Sequence, residues 1–558
     1  MSESQVSQPS ASEAGVSSGP RFVMLGFVVL SLVTVVYAID ILPIIGPEVV
    51  RGINTSAGVI DLGGTLLLAA SGGFVMLMGQ AGDRFSHKPI FLWAGCGLII
   101  IGGLIATFPP NGGVLLLGRF IIGIGLVGMS VPCLAFLNIK FPAGDPHRGL
   151  AFGLFAAGFG FGFILAPIVG GLLGDVEHGW RIASLLVPVL ALVCMVGIAA
   201  SVTKTRGVNP DLRMDVLGSV LLLLAMSGLI VAMNEASTYG WITQTEPLAV
   251  GDWNWPLDVS MPFVLGILAI ACWVLFAVHE RKLNRSGRPA ILDFTLFANK
   301  SFSIGLIACF LFFLGAFAAI LVIPQYFLLA LGVDTLVLGL SLLPIGIGVV
   351  VCGYLAGPIG NKLGSRTTVM VGFGALVLGS LLAIPAMGPG ASGWVTAIPL
   401  LIFGIGFGLV YARISQSVLA SVPAAKAGIG GATMFGVRLL AGAFGALVLT
   451  LILTATAVDK SQQELSVQAS SLDPQQLATL SALVDRGAAL RQEAGGMNQL
   501  AGNQQSYQEV LQDRELQTAV ADIADAYSFG FRVVMLLVAA IALLGLLTTR
   551  RLPEPKSS

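Results

Sequence analysis

Long apolar stretches, separated by short clusters of Gly, Pro and charged residues, recur along the chain from Phe22 to near its end. A helix that crosses a bilayer needs about 20 apolar residues. Fourteen stretches fit that requirement, near 22–47, 57–79, 89–108, 113–138, 149–173, 182–202, 215–235, 261–278, 302–328, 335–357, 367–387, 395–420, 428–457 and 529–549. Lipid offers the backbone no hydrogen-bond partners, so each stretch is expected to be a helix. The first follows a Ser/Glu/Gln/Pro tail, 1–21, that lacks a basic n-region and a small-residue cleavage site. It reads as a retained span behind a disordered tail, not as a signal peptide.

An even number of crossings puts both termini on one side. The loops on that side carry Arg84, Lys88, Lys140, Arg148, Lys204, Arg206, Arg213, Arg281, Lys282, Arg285, Arg288, Lys300, Lys362, Arg366 and Lys426, and the tail adds Arg550, Arg551 and Lys556, whereas the opposite short loops have only Arg51 and Arg181. Positive charge is retained in cytoplasmic loops, so both termini are expected in the cytoplasm and the protein in the inner (plasma) membrane. Only 10% of the 558 residues are charged and 56% are hydrophobic, against about 25% charged in a soluble domain. That excludes a soluble globular fold, and a net charge of zero gives no hint of a nucleic-acid partner. All six cysteines fall in apolar stretches without CxxC spacing, which predicts neither disulfides nor a metal site.

Two far-side segments are long. The 236–260 loop carries Trp241, Trp253 and Trp255, residues that anchor to headgroups. The polar, acidic segment 458–528 reads as an external helical hairpin: Asp473-Pro474 supplies an N-cap and a first-turn proline, Gly495-Gly496 a break, and an apolar-periodic stretch follows from about Tyr507 to Tyr527.

Between the second and third spans stands a tight loop from Gly79 to Lys88 containing Asp83 and Arg84. Eight spans later the pattern returns with Gly357, Lys362, Gly364 and Arg366, and Asn361 replaces the acid. Repetition at corresponding places points to a duplicated transporter core, with the loop acid and bases as a latch. These residues resemble the G-x-x-x-D-R-x-G-R-K signature of the major facilitator superfamily, with Ser86 and His87 in place of Gly and Arg. The fifth span holds Gly162, Ala166, Pro167, Gly170 and Gly171, similar to the G-x-x-x-G-P-x-x-G-G signature of that superfamily's antiporters. Physically, small residues at four-residue spacing let a neighbouring helix approach closely. Arg119-Phe120-Ile121-Ile122-Gly123-Ile124-Gly125 is like its R-x-x-Q-G-x-G pattern, with Ile122 for the glutamine. Fourteen spans, Trp180-Arg181, Asp215-Val216-Leu217-Gly218 and Arg438 with Gly442 and Gly445 are similar to the fourteen-span drug:proton antiporter family.

The resemblance implies an all-α membrane protein of the major facilitator fold. A first six-helix bundle would span 22–202, two inserted helices with linkers 203–300, and a second bundle with the hairpin 301–549. It also implies a proton-coupled exporter of amphiphilic or cationic small molecules, of multidrug efflux type. Charge inside the membrane costs about 2.5–3.5 kcal/mol per group, so Asp40, Asp61, Arg119, Arg413 and Arg438 each call for a reason. Asp40 lies about seven residues below the outer end of its span, Arg119 about six and Asp61 about four. Two acids with one base form a group that can exchange a proton; the alternative is a permanent structural pair. Tyr37, Gln325, Tyr326, Tyr411, Arg413, Gln416 and Arg438 are candidates to line a cavity.

The chain carries no G-x-x-x-x-G-K-[ST] loop, so ATP cannot drive it directly. No enzymatic activity, cofactor or metal is expected, and the expected partners are an amphiphilic small molecule, protons and the lipid bilayer. The sequence neither requires nor excludes an accessory envelope protein. The same fold also serves solute-specific exporters and importers, of a siderophore, an amino acid or another metabolite. A sensor or assembly scaffold using 458–528 is a third reading, and it leaves the buried acids without a purpose.

Overall fold

The computed structural model describes residues 19–552 apart from 143, 174–175, 203–214, 245–248, 251–252, 287–293, 332, 334, 389–390, 392, 424–426 and 469–513. Among the described residues, fourteen helices are long and apolar enough to cross a membrane. They are spans 1 (Arg21–Ile53), 2 (Gly58–Phe85), 3 (His87–Thr107), 4 (Gly112–Lys140), 5 (Arg148–Leu173), 6 (Gly179–Ser201), 7 (Val216–Ala236), 8 (Met261–Arg285), 9 (Lys300–Phe327), 10 (Leu336–Leu363), 11 (Ser365–Ala386), 12 (Val395–Leu419), 13 (Ile429–Ser461) and 14 (Ala524–Thr549). Here the near side is the side on which span 1 begins. Several starts are set by side chains that accept orphan backbone N–H groups: Asn111 from Val114, Asp215 from Gly218 and Asn299 from Ser301.

Spans 1–6 and 9–14 form two six-helix bundles, with spans 7 and 8 inserted between them. Span 7 fills a groove between spans 2 and 13. Its Ser227 hydroxyl donates to the Ala69 carbonyl at 2.8 Å, and Ile230 clusters with Ala69 and Ala443. Span 8 packs on span 7 and leaves Ile267, Ile270, Val274 and Val278 exposed, as lipid contact requires. Spans 5 and 10 join the two bundles almost backbone to backbone. A Cβ on Gly149 would stand 2.9 Å from Gly357 Cα, one on Gly153 2.4 Å from the Gly353 carbonyl oxygen, and one on Gly171 2.7 Å from Leu336 Cα. Absent side chains thus give dispersion contact along the full depth of the membrane.

Some boundaries differ from the sequence expectation. Span 1 runs past Pro43 and Pro47 to Ile53, not 47, which puts Asp40 thirteen residues (40 to 53) from its far end instead of about seven. The helices of spans 13 and 14 also continue beyond the expected ends. One extends through Gln468 and the other begins at Arg514, so both ends of the 458–528 segment are extensions of spans, tied by a Lys460–Asp525 ion pair. Asp473-Pro474, Gly495-Gly496 and Tyr507 lie outside the described residues, as do residues 1–18, Lys204, Arg206, Arg213, Lys426 and residues 553–558. The 236–260 loop forms a two-residue antiparallel ladder, Ala249–Val250 with Trp253–Asn254, and the Trp255 indole donates to the Val259 carbonyl.

The two repeated loops share a backbone feature. Ser86 has φ 101° and Gly364 φ 84°, each between two spans at the same place in the repeat. That region belongs almost to glycine alone, and a side chain there costs about 1–3 kcal/mol. The departure from glycine at Ser86 is therefore a strained one. Ser86→Gly is expected to stabilise the protein by about 1 kcal/mol and Gly364→Ser to destabilise it by a similar amount. Thermal unfolding in nanodiscs reads both, and a lower midpoint for Ser86→Gly would show that the hydroxyl contributes more than the backbone loses.

Candidate functional site

The intramembrane charges singled out in the sequence have different surroundings. In the first bundle, span 4 buries Arg119, whose Nη1 donates to the Ala38 carbonyl at 2.8 Å. Among the described residues its Nε and Nη2 have no partner, and Gly63 of span 2 is close enough that a Cβ there would stand 3.5 Å from Arg119 Cγ. Asp40, half-buried and two residues beyond Ala38, is electrostatically coupled to Arg119 without forming an ion pair with it. A cavity of about 20 Å³ lies against Arg119 between Ile41, Leu42, Gly103, Leu115 and Ser184, large enough for about one water.

Asp61 does not join this group. It is exposed at the far end of span 2, and its charged neighbour is Glu235 of span 7, which is 5% exposed and accepts a hydrogen bond from the Thr65 hydroxyl. Glu235 was not singled out in the sequence because it sits at the predicted edge of its span, where an acid ordinarily meets water. The helix in fact continues to Tyr239 and packs on span 2, not on lipid.

In the second bundle the two arginines have different surroundings. Arg413 donates to the Ala356 and Gly357 carbonyls at 2.8 and 2.7 Å and to the Gln416 side chain, and its guanidinium packs on Gly360. It braces span 10 where the second loop's repeat begins. Arg438 of span 13 is 3% exposed and lies 5.2 Å from the ring centroids of both Phe313 and Tyr411. Those rings belong to a cluster that crosses the bundle interface: Phe159 of span 5 stacks on Phe407 at 5.1 Å and meets Tyr411 at 5.4 Å and Phe317 at 5.7 Å. Span 9 turns as a π-helix from Phe313 to Phe317, a local widening that recurs at functional sites.

Tyr37 and Tyr326 serve packing, donating to the Ala183 and Gly388 carbonyls at 2.8 and 3.0 Å, and Gln325 is half-buried nearby. Of the cavity candidates, Tyr411 and Arg438 come together at the interface. The phenylalanines around them were missed. Their only signal was the i,i+4 spacing of Phe313 with Phe317 and of Phe407 with Tyr411, which core packing produces equally well.

At the first loop, Asp83 is buried with its Oδ1 3.5 Å from His87 Nε2, and Gly79 is buried alongside. Arg84 lies over the Phe85 ring, and Lys88 donates to the Ala199 and Val202 carbonyls at the near end of span 6. At the second, Lys362 is exposed, Arg366 is half-buried, and the Ser365 and Ser417 hydroxyls meet at 2.8 Å. In span 5, Gly162 and Gly170 face span 1, where Cβ atoms would stand 2.7 Å from Val36 and 2.4 Å from Ile44. Gly171 and Pro167 face span 10, and Ala166 is fully buried.

Residues 23–446 match the Major Facilitator Superfamily. The chain belongs to this superfamily. Among its curated relatives is the multidrug resistance protein Stp of Mycobacterium tuberculosis, 26% identical over 76% of this chain and 74% of Stp. The riboflavin transporter RibZ of Clostridioides difficile is 23% identical over 66% of this chain and 75% of RibZ. The solved proton:xylose symporter XylE shares the fold, with a TM-score of 0.57 at 15% identity over 97% of each chain.

In this major facilitator protein the span 5 signature lies on both mating surfaces of its helix, holding span 1 on one side and the opposite bundle on the other. Close glycine contact is therefore expected to limit how the bundles move. Gly357→Leu should destabilise the protein by about 1–3 kcal/mol through overpacking against Gly149. Gly374→Leu, where nothing lies within 4 Å of the added Cβ, should be neutral. Unfolding midpoints in nanodiscs separate the two, and equal effects would show that the 5–10 contact is not tight.

Proposed function

We propose that this chain is a secondary transporter that exports amphiphilic small molecules in exchange for protons. In this reading it lies in the inner (plasma) membrane, with both termini and both repeated loops in the cytoplasm. Small-molecule transport comes with the superfamily; direction, protons and orientation are the proposal. The observation that carries it is the arrangement around Asp40, an acid next to a buried guanidinium that keeps two nitrogens unpartnered and is not locked to it. An acid permanently paired in both states would be useless for coupling, whereas one beside an uncommitted cation can gain and lose a proton as the neighbourhood changes. The name of Stp supports the multidrug class and the positive loops support the orientation. A solute-specific carrier is the second reading, favoured by the likeness to RibZ.

In proteoliposomes, adding a transported dye should release protons from wild type. Asp40→Asn should lower the release to that of protein-free liposomes while dye binding survives, because the amide keeps shape and hydrogen bonding but cannot titrate. Asp61→Asn and Glu235→Gln provide the comparison. If Asp40→Asn releases protons as wild type does and either of the other two does not, coupling belongs to the span 2 and span 7 acids.

A further inference from the structure

Among the described residues, neither buried arginine of the second bundle, Arg413 or Arg438, forms an ion pair with an acid. From Phe294 to Val458 the chain has a single carboxylate, Asp334, in the segment between spans 9 and 10. Arg413 is satisfied by main-chain carbonyls, but Arg438 is not. Among the described residues its partners are the Ser415 hydroxyl, the Met434 thioether, the Cys309 thiol and the faces of Phe313 and Tyr411, and its Nε has none. All of these are neutral. A guanidinium taken from water without a counter-ion is strongly destabilised, and an anion delivered to it in low dielectric is held strongly.

The surrounding surface is aromatic, and the rings come from both bundles. Phe159 belongs to span 5, while Phe317 and Phe407 belong to spans 9 and 12. When the bundles part, the faces that now stack at 5.1 Å between Phe159 and Phe407 become a slot for another flat ring. Cation and rings lie side by side, so a ligand that fits both is flat and negatively charged.

Resting on the export reading above, we infer that the substrates of this site are planar aromatic anions. A carboxylate or phenolate is held by Arg438, and the ring system lies between Phe159 and Phe407. This narrows the amphiphilic class and disfavours the cations among it, which would meet Arg438 as a like charge.

Two xanthene dyes of similar size and opposite charge, fluorescein (anion) and rhodamine 123 (cation), test the inference by fluorescence anisotropy with the full chain in nanodiscs and no gradient. Fluorescein should bind more tightly. Arg438→Gln should weaken it about 10–100-fold, the range of a lost charged hydrogen bond, and leave rhodamine 123 unchanged or improved. Arg438→Lys should fall between, keeping charge but losing the planar fork, and it decides the matter if Arg438→Gln does not yield folded protein. Phe159→Ala should weaken both dyes. Tighter binding of rhodamine 123, equal loss of both dyes in the Arg438 variants, or indifference of both to Phe159→Ala would overturn the assignment. Because binding is read without a gradient, Arg438-dependent fluorescein binding with no proton release would sink the export reading and leave this one standing.

Discussion

A charge held in hydrocarbon must find its compensation inside the protein, and the arrangement of this chain follows from how its three most buried arginines among the described residues do so. Arg413 has an acceptor on each of its three nitrogens, two of them main-chain carbonyls of span 10, and it serves structure. Arg119 is compensated in part, by one carbonyl and a nearby acid. Among the described residues, Arg438 has neutral hydrogen-bond partners and ring faces. A graded series of this kind places mobile chemistry where compensation is incomplete, since a fully paired ion has no reason to bind anything. In the proposed reading protons are handled in the first bundle and the organic solute at the interface between the bundles.

That joint is built from missing side chains. The glycines of span 5 meet the glycines of span 10 at Gly149–Gly357 and Gly153–Gly353, and the backbones themselves are the bearing surface. Contacts of this type have no long side chains to reorganise, so two bundles can rock as bodies. On the other side of the interface span 7 wedges between spans 2 and 13 and contributes Glu235 beside Asp61. Span 7 thus adds a buried acid against span 2 and is not merely a lipid-facing addition.

Much of the fold was legible because lipid imposes a length and a composition on each crossing. All fourteen spans follow from runs of apolar residues, and the duplicated core from the recurrence of the Gly79–Lys88 pattern at Gly357–Arg366. What escaped depends on which helix faces lie together. Asp40, Asp61 and Arg119 looked alike as isolated charges, and only packing separates Asp61 from the other two. Glu235 looked like a boundary residue until its helix proved to be longer and buried. The ring cluster was invisible because a phenylalanine in a membrane helix reads the same whether it meets lipid, core or solute. Span 1 was cut short at Pro47, since proline ordinarily ends a soluble helix, while neighbouring helices sustain it here.

The account stands or falls on whether a proton gradient alone moves the solute. Everted membrane vesicles containing the chain, without ATP, can be given an acid interior and offered the xanthene dye that the purified protein binds. The account predicts accumulation that begins with the imposed gradient and ceases on adding a protonophore. Dye accumulation that continues at the same rate after the gradient has been collapsed would contradict it.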